Sequence, residues 1–478
     1  MEPIDLEPLF PDRASSEPLN SQLVRRLRNA IESGALASGT RLLPSRELAK
    51  RLGVARNTAT FAVDQLIAEG YLEARVGAGT FVTKTFVRRA AHAAPPRSAP
   101  KRARAYADLK HYFSPIAHAH GALRPGMPDV RTFPRRAWKI ASRERHNSFY
   151  EDLQYGPAAG LRELREAIST HVRQFRGVAT QPQNVIVTEG AQAALHLLSL
   201  VLAAADDSVA VEDPGYNVGF SAFHARELQL HAVRVDKDGL IVEELPNEAA
   251  FAVITPSHQF PLGGALPLAR RLALLAWARR RNCYIIEDDY DSEYWFEGRP
   301  LPALQSLDRD ERVIYVGTFS KTLAPGLRVG YIIAPPHLAP ALRVARAATS
   351  LGVSVQLQSA LAAFISQGQF ARHVRRTMTL YSVRRQALIH TLAHNLPAAF
   401  NMRVAQGGLH VSIVGPQSFD DAASCVLPDG QRPVALSQLC LRRRDVRGFM
   451  LGFGTEDERA VEAAAQTLCE SLNGLITK

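Results

Sequence analysis

Six short apolar runs, at residues 184–187, 208–211, 251–254, 284–286, 313–316 and 329–333, constrain this chain more than any other feature. Most are continuously apolar rather than alternating, the pattern of strands buried on both faces. Helical stretches separate them. From about residue 115 onward the expected fold is therefore a mostly parallel α/β sheet with helices on its faces. Ligands of such sheets bind beyond the carboxyl ends of the strands, so the residues that follow each run are the ones to inspect.

Three of those places carry chemistry. After 184–187 comes Thr188-Glu189-Gly190-Ala191-Gln192, which opens a helix. Free N–H groups at a helix start hold anions such as phosphate, although any helix start reads the same way. After 284–286 comes Glu287-Asp288-Asp289-Tyr290-Asp291. Consecutive carboxylates at a strand end need a cation or polar ligand, unless they form a solvated acidic loop. After 313–316 comes Gly317-Thr318-Phe319-Ser320-Lys321, with Arg328 seven residues further on. The chain has eight lysines and 49 arginines, and beyond residue 115 only Lys139, Lys237, Lys321 and Lys478 remain. A guanidinium cannot form a Schiff base, so amine nucleophiles are few and Lys321 stands at a strand end among hydroxyls.

The first 84 residues read differently. Leu19, Leu23, Leu27 and Ile31 recur at helical spacing and Gly34 follows as a stop. Ser45 is the expected cap of a short second helix that Gly53 ends. A third helix is expected over 56–69, with Ala59, Ala62, Val63, Leu66 and Ile67 as its buried stripe and Gly70 as its C-cap. Two strands follow around Gly77-Ala78-Gly79. This order makes an α+β winged helix-turn-helix, whose third helix enters a major groove. Arg56 and Asn57 suit base edges, Thr58 and Thr60 suit phosphate or methyl groups, and Arg46 begins the second helix where a phosphate would sit. Arg75 and the small Gly77 let the wing approach the backbone. The alternative is a three-helix protein–protein module.

The net charge is +11, and residues 85–114 hold seven basic and one acidic side chain. With Pro95, Pro96 and Pro100 this segment reads as a linker, either adding phosphate attraction or serving as a solubilising tether. No run of about 18 apolar residues is present, the N-terminus lacks a secretory pattern, and Cys283, Cys425, Cys440 and Cys469 form no Cys-x-x-Cys pair. The expectation is a cytoplasmic protein with no membrane span, no metal site and no disulfide framework.

The stretch LLPSRELAKRLGVARNTATFAVDQLIAEGYLEARVGAGTFV resembles the DNA-binding domain of GntR-type repressors. Residues 120–475 resemble fold-type I aminotransferases. That resemblance implies pyridoxal 5′-phosphate as cofactor, with Lys321 forming the internal aldimine and Asp288 on the pyridinium nitrogen. Tyr290 would bond the 3′ oxygen. Thr318, Ser320, Arg328 and the Gly190, Ala191 and Gln192 amides would hold the phosphate. Tyr216 would stack on the ring, and Tyr155 would reach the phosphate of a neighbouring subunit, which requires a homodimer. The family's Asn-Pro-Thr-Gly is here Ser257-His258-Gln259-Phe260-Pro261-Leu262-Gly263, so the asparagine partner of the 3′ oxygen is replaced. Its C-terminal arginine precedes a Leu-x-Phe, which here reads Met450-Leu451-Gly452-Phe453, with Arg447 nearby; Val218 is apolar where some relatives carry arginine.

The chain is therefore multidomain: a winged helix-turn-helix over 1–84, a basic linker over 85–114, and an α/β domain of the PLP-dependent transferase type over 115–478. Together with GTFSKTLAPGLRVGY and TPSHQFPLGG as they stand, it resembles the MocR-type regulators. The implied function is transcription control at a double-stranded DNA operator, with a small amine or amino-acid effector sensed by aldimine exchange at Lys321. The alternatives are a competent aminotransferase with an appended DNA-binding domain, and a dimeric scaffold that has lost its cofactor.

Overall fold

The structure, a computed structural model, describes residues 7–84, 101–143, 153–350, 352–424, 426–427 and 430–476. The chain divides into two compact units, 1–99 and 100–478.

In the first unit, α1 (Leu19–Ser33) buries Leu23, Leu27 and Ile31 and stops at Gly34, which has a φ of 82°. The left-handed conformation needed there is open to glycine without strain. α2 (Ser45–Leu52) differs from the expectation at its start. Ser45 is the first helical residue and makes no capping hydrogen bond; Pro44 holds the cap position. The Pro44 carbonyl accepts from the Glu47 and Leu48 N–H groups at 2.8 and 2.9 Å. α3 (Arg56–Ala68) buries Ala59, Ala62, Val63 and Leu66 against α1 and α2. β1 (Leu72–Arg75) and β2 (Gly79–Val82) pair antiparallel, with Leu72 opposite Val82 and Arg75 opposite Gly79. A bridge from Arg41 to Phe81 extends the wing by one more strand segment, which no sequence signal marked.

The second unit begins inside the segment expected to be a linker. α4 (Lys101–Asp108) and α5 (Lys110–His118) are helical, so the linker reading fails over 101–114; its proline-rich stretch, 85–100, lies outside the described residues. The reason is sparse anchoring. Leu109, Tyr112 and Ile116 stand at helical spacing, and Tyr112 is buried in the same apolar cluster as Phe220 and Phe223. Three apolar residues among basic ones left too weak a periodic signal.

Two helices, α6 (Arg135–Arg143) and α7 (Arg162–Arg176), precede the sheet. Then follow β3 (Val185–Thr188), α8 (Ala191–Leu202), β4 (Ser208–Asp213), α9 (Asn217–His224), β5 (Gln229–Asp236), β6 (Gly239–Leu240), β7 (Phe251–Ile254), α10 (Leu268–Arg281), β8 (Tyr284–Asp289), β9 (Val313–Thr318) and β10 (Gly330–Ile333). The strand order is β3-β10-β9-β8-β7-β4-β5-β6. β4, β5, β7, β8 and β9 are mutually parallel, while β10 is antiparallel to both β3 and β9. Alternate residues feed opposite faces: Val209, Val253, Ile286 and Ile314 meet α8 and α9, whereas Ala210, Ile254, Ile285 and Val313 meet α10.

α11 (Ala339–Thr349), α12 (Val355–Ser366) and the 27-residue α13 (Gln369–Asn395) lead into a second sheet. β11 (Asn401–Arg403), β12 (His410–Val414), β13 (Val434–Ala435) and β14 (Gly448–Gly452) stack in the order β11-β12-β14-β13. The last helix, α14 (Glu458–Ile476), packs on this sheet together with α13 through Tyr381, Leu388, Val461 and Leu468. The winged helix-turn-helix and the mostly parallel α/β sheet are as the sequence implied; the reversed β10 makes the sheet mixed.

Candidate functional site

The three consecutive carboxylates of β8 separate by strand alternation. Glu287 turns to one face and accepts the Leu304 and Gln305 N–H groups at 2.8 and 2.9 Å. Asp289, on the same face, binds Arg176 Nε at 2.7 Å and accepts the Tyr315 hydroxyl at 2.6 Å. Arg176 also donates to Leu301 O at 2.5 Å and Ser257 Oγ at 2.7 Å, so this buried charge pair is fully engaged. Asp288 faces the other way. It is buried, its Oδ1 has no hydrogen-bond partner, and it lines a small cavity with Glu212, Tyr216 and Thr255. Burial, with Asp289 beside it, pushes its carboxyl up to about 7.

That shift has a sign. A carboxyl whose folded pKa lies above its unfolded value contributes stability below the unfolded pKa, and this is lost as pH rises through the folded one. Asp288→Asn, neutral at every pH, is therefore expected to gain on the ligand-free wild type between about pH 5 and 8. Urea midpoints that differ equally at both ends of that range would contradict it.

Lys321 follows β9. Its amine donates to Gly126 O at 2.6 Å, and burial pushes it below the usual lysine range against the pull of Asp291 and Asp288. Gly126 has a φ of 71°, and a Cβ there would stand 3.3 Å from Nζ. Thr318 Oγ1 and Ser320 Oγ are 3.0 Å apart at the same strand end.

The ends of β3 and β9 meet the start of β10. Arg328 donates to Glu189 O at 2.9 Å, and its guanidinium lies 3.2 Å from where a Gly190 Cβ would stand. Gly190 (φ 92°) and Gly330 approach so closely that a side chain on Gly330 would strike the Gly190 backbone at 2.8 Å. Gly190, Ala191 and Gln192 open α8, whose first N–H groups have no intrahelical acceptor. Gln192 Nε2 donates to Ser221 Oγ at 3.1 Å, and its Oε1 is buried without a partner. Arg328, Thr318, Ser320 and the start of α8 thus form one cationic, N–H-lined corner.

Tyr216 precedes α9 and stands edge-on to Phe260 with ring centroids 5.6 Å apart. Tyr290 donates to His258 O at 3.1 Å and lies 3.0 Å from His258 Nδ1. Sequence reasoning marked His258 only as part of a departure and assigned no role to Asp291 or His410. The structure brings ligand-type atoms of these three within 4.8 Å of one another, all buried.

Other expectations are placed apart. Tyr155 is 87% exposed, which suits a contact with another chain and none within this one. Met450 is buried among Phe260, Val434, Leu436 and Leu439, and Arg447 stands 3.8 Å from Asp421. Met450, paired across the sheet with Ser412, is thus a buried apolar side chain where a carboxylate-binding arginine was sought.

In the first unit, Arg46, Arg56 and Asn57 are exposed, and Thr58 and Thr60 are half-buried on α3. Arg75 pairs with Glu73 and stacks over Phe81 at 4.7 Å, at the base of the turn that holds Gly77 at a φ of 74°. Phe61 is 48% exposed on the same helix.

These two folds and this site define a DNA-binding regulator carrying an aminotransferase-like effector domain. Residues 19–82 match the gntR family of bacterial regulatory proteins, and residues 127–437 match aminotransferase class I and II. The chain belongs to that aminotransferase family, joined to a gntR module as in the MocR-type regulators. It is 34% identical to the probable rhizopine catabolism regulatory protein MocR of Rhizobium meliloti, over 96% of this chain and 94% of that one. It is 35% identical to the HTH-type pyridoxine biosynthesis transcriptional regulator PdxR of Corynebacterium glutamicum, over 94% of each. Its second unit is similar to a crystal structure of Pyrococcus horikoshii kynurenine aminotransferase in complex with PMP, with a TM-score of 0.70 and 25% identity over 79% of this chain and 95% of that one. Among the described residues no helix is long and apolar enough to cross a membrane.

Proposed function

We propose that this transcriptional regulator holds pyridoxal 5′-phosphate in its second unit and reads a small amine or amino acid there. One observation carries the reading: a buried carboxyl oxygen of Asp288 without a partner, in the same site as the amine of Lys321. A protonated pyridine nitrogen would supply the missing donor and the counter-charge. The phosphate fits the corner of Arg328, Thr318, Ser320 and the start of α8, where glycine at 190 leaves room. Tyr216 suits a ring stack and Tyr290 a 3′ oxygen. When bound, the cofactor supplies an aldehyde that exchanges between amines.

The protein's own part is to hold, exclude and release. Burial pushes the Lys321 amine below the usual lysine range, the direction that favours the unprotonated form a nucleophile needs. Gly126 O holds its remaining hydrogens. An effector that took the place of Lys321 on the cofactor would leave the lysine amine to Gly126 O. The effector shifts the regulator between states only as far as it binds them differently. We further propose a homodimer, with Tyr155 reaching the partner's phosphate corner, a cytoplasmic location, and the basic residues of 85–100 as tether. Arg46, Arg56, Asn57, Thr58, Thr60, Arg75 and Gly77 would face operator DNA.

The test is a visible absorption spectrum of the purified protein titrated with a panel of amines and amino acids. A band that shifts with one compound and stays shifted, while operator affinity changes in parallel, is the expected result. Bleaching that a 2-oxo acid reverses through many cycles would instead make the protein an aminotransferase. Separately, Arg56→Ala is expected to weaken operator binding by about 1–3 kcal/mol, or roughly 5- to 150-fold, in a titration at fixed salt. Unchanged affinity would remove Arg56 from the DNA face.

A further inference from the structure

The asparagine that aminotransferases place against the 3′ oxygen is replaced here, and the structure holds a different device in its place. His258 follows β7, and its Nδ1 lies 3.0 Å from Asp291 Oδ1 and 3.0 Å from the Tyr290 hydroxyl. Asp291 is buried and accepts the Leu409 N–H at 3.1 Å through its other oxygen. Burial pushes this carboxyl up, but His258 and His410 outweigh that, and it is held below its usual range. An ionised carboxylate only accepts, so the hydrogen of the His258 ring sits on Nδ1, facing both Asp291 and the Tyr290 oxygen.

The surroundings leave His258 no other pose. His410 stacks on it with ring centroids 4.6 Å apart, and donates from Nε2 to Pro261 O at 3.0 Å. Gly408 has a φ of 82°, and a Cβ there would collide with His258 Cε1 at 1.9 Å. His258 Nε2 is buried and has no partner, so the ring is tied only through Nδ1.

We infer that His258, oriented by Asp291, is a positioning residue that presents the Tyr290 hydroxyl to the 3′ oxygen of a bound cofactor, the task the missing asparagine leaves open. With a cofactor present, the Tyr290 hydrogen would turn from His258 O toward the 3′ oxygen, while the one Nδ1–H, shared between Asp291 and the phenol oxygen, would hold that oxygen in place. His258 then acts on the cofactor only through Tyr290. The inference rests on the cofactor reading above.

The experiment is the pH titration of the visible band of the cofactor-loaded full chain. A donor to the 3′ oxygen favours the form in which the lysine-linked nitrogen has lost its proton. Tyr290→Phe is therefore expected to raise the midpoint by about one pH unit, and His258→Phe by at least about half a unit. In the double variant the midpoint should match Tyr290→Phe alone, because the two act in series. The other titratable groups that act on Tyr290 are Asp291, Asp288, Glu212 and, from the far face of β8, Asp289; His410 stacks on His258, and all are common to every variant. Should His258→Phe fail to fold, His258→Asn restores an amide donor and should return the midpoint to that of the wild type.

A His258→Phe midpoint equal to wild type, additive shifts in the double variant, or a His258→Asn midpoint as high as that of Tyr290→Phe would each overturn the inference. So would a stoichiometric divalent ion found by elemental analysis and lost on replacing His258 or His410. A wild-type protein that takes up no visible band would sink the cofactor reading instead, a separate result.

Discussion

Lys321→Ala is expected to leave both units folded, to abolish the visible band, and to remove the effector's influence on operator binding. Among the described residues its amine makes one hydrogen bond, to Gly126 O, and no salt bridge, so its loss leaves no buried charge unpaired. Of the other lysines after residue 115, Lys139 lies within α6, Lys237 follows the half-exposed β5, and Lys478 lies outside the described residues. Circular dichroism, the absorption spectrum and operator titration with and without effector together read the result. A variant that kept its effector response in DNA binding would end the sensor mechanism, whatever its colour.

The second large effect is on stability. Arg176 is the last residue of α7, and its guanidinium, 4% exposed, ties together Asp289, Leu301 and Ser257. Arg176→Ala leaves the Asp289 carboxylate buried with hydroxyl donors from Tyr315 and Ser292 but no counter-charge. Breaking such a pair from one side costs about 3–5 kcal/mol. The urea midpoint of the second unit, followed by near-ultraviolet circular dichroism, should fall accordingly. Adding Asp289→Ala should recover part of the loss, because the uncompensated charge goes with it. A single-variant loss below about 1 kcal/mol would mean that water reaches the pair.

These two residues mark what a linear reading captures. Lys321 and Asp288 were legible because each comes just after a continuously apolar run, and Arg328 because it stands seven residues beyond Lys321; strand ends are where α/β sheets place their ligands. Arg176 was not legible. It lies 113 residues from Asp289, and nothing local distinguishes it from the chain's other arginines. The same limit hid His258, Asp291 and His410, which come from the exits of β7 and β8 and from β12. Their meeting depends on how the small sheet docks against the large one. β5 went unrecognised because its outer position leaves it half-exposed and without a continuous apolar run. The direction of β10 was equally silent, since burial on both faces looks alike in either direction.

By itself, then, the amino-acid order determined the two folds, the strand ends that bear the chemistry, and the exposed Arg56 and Asn57 at the start of α3. It did so because periodicity and strand termination are local properties. Only the tertiary structure decided which of the three β8 carboxylates is the unpartnered one. Glu287 and Asp289 find backbone amides and Arg176 on one face, while Asp288 faces a cavity on the other, and that division comes from what packs against each side of the strand.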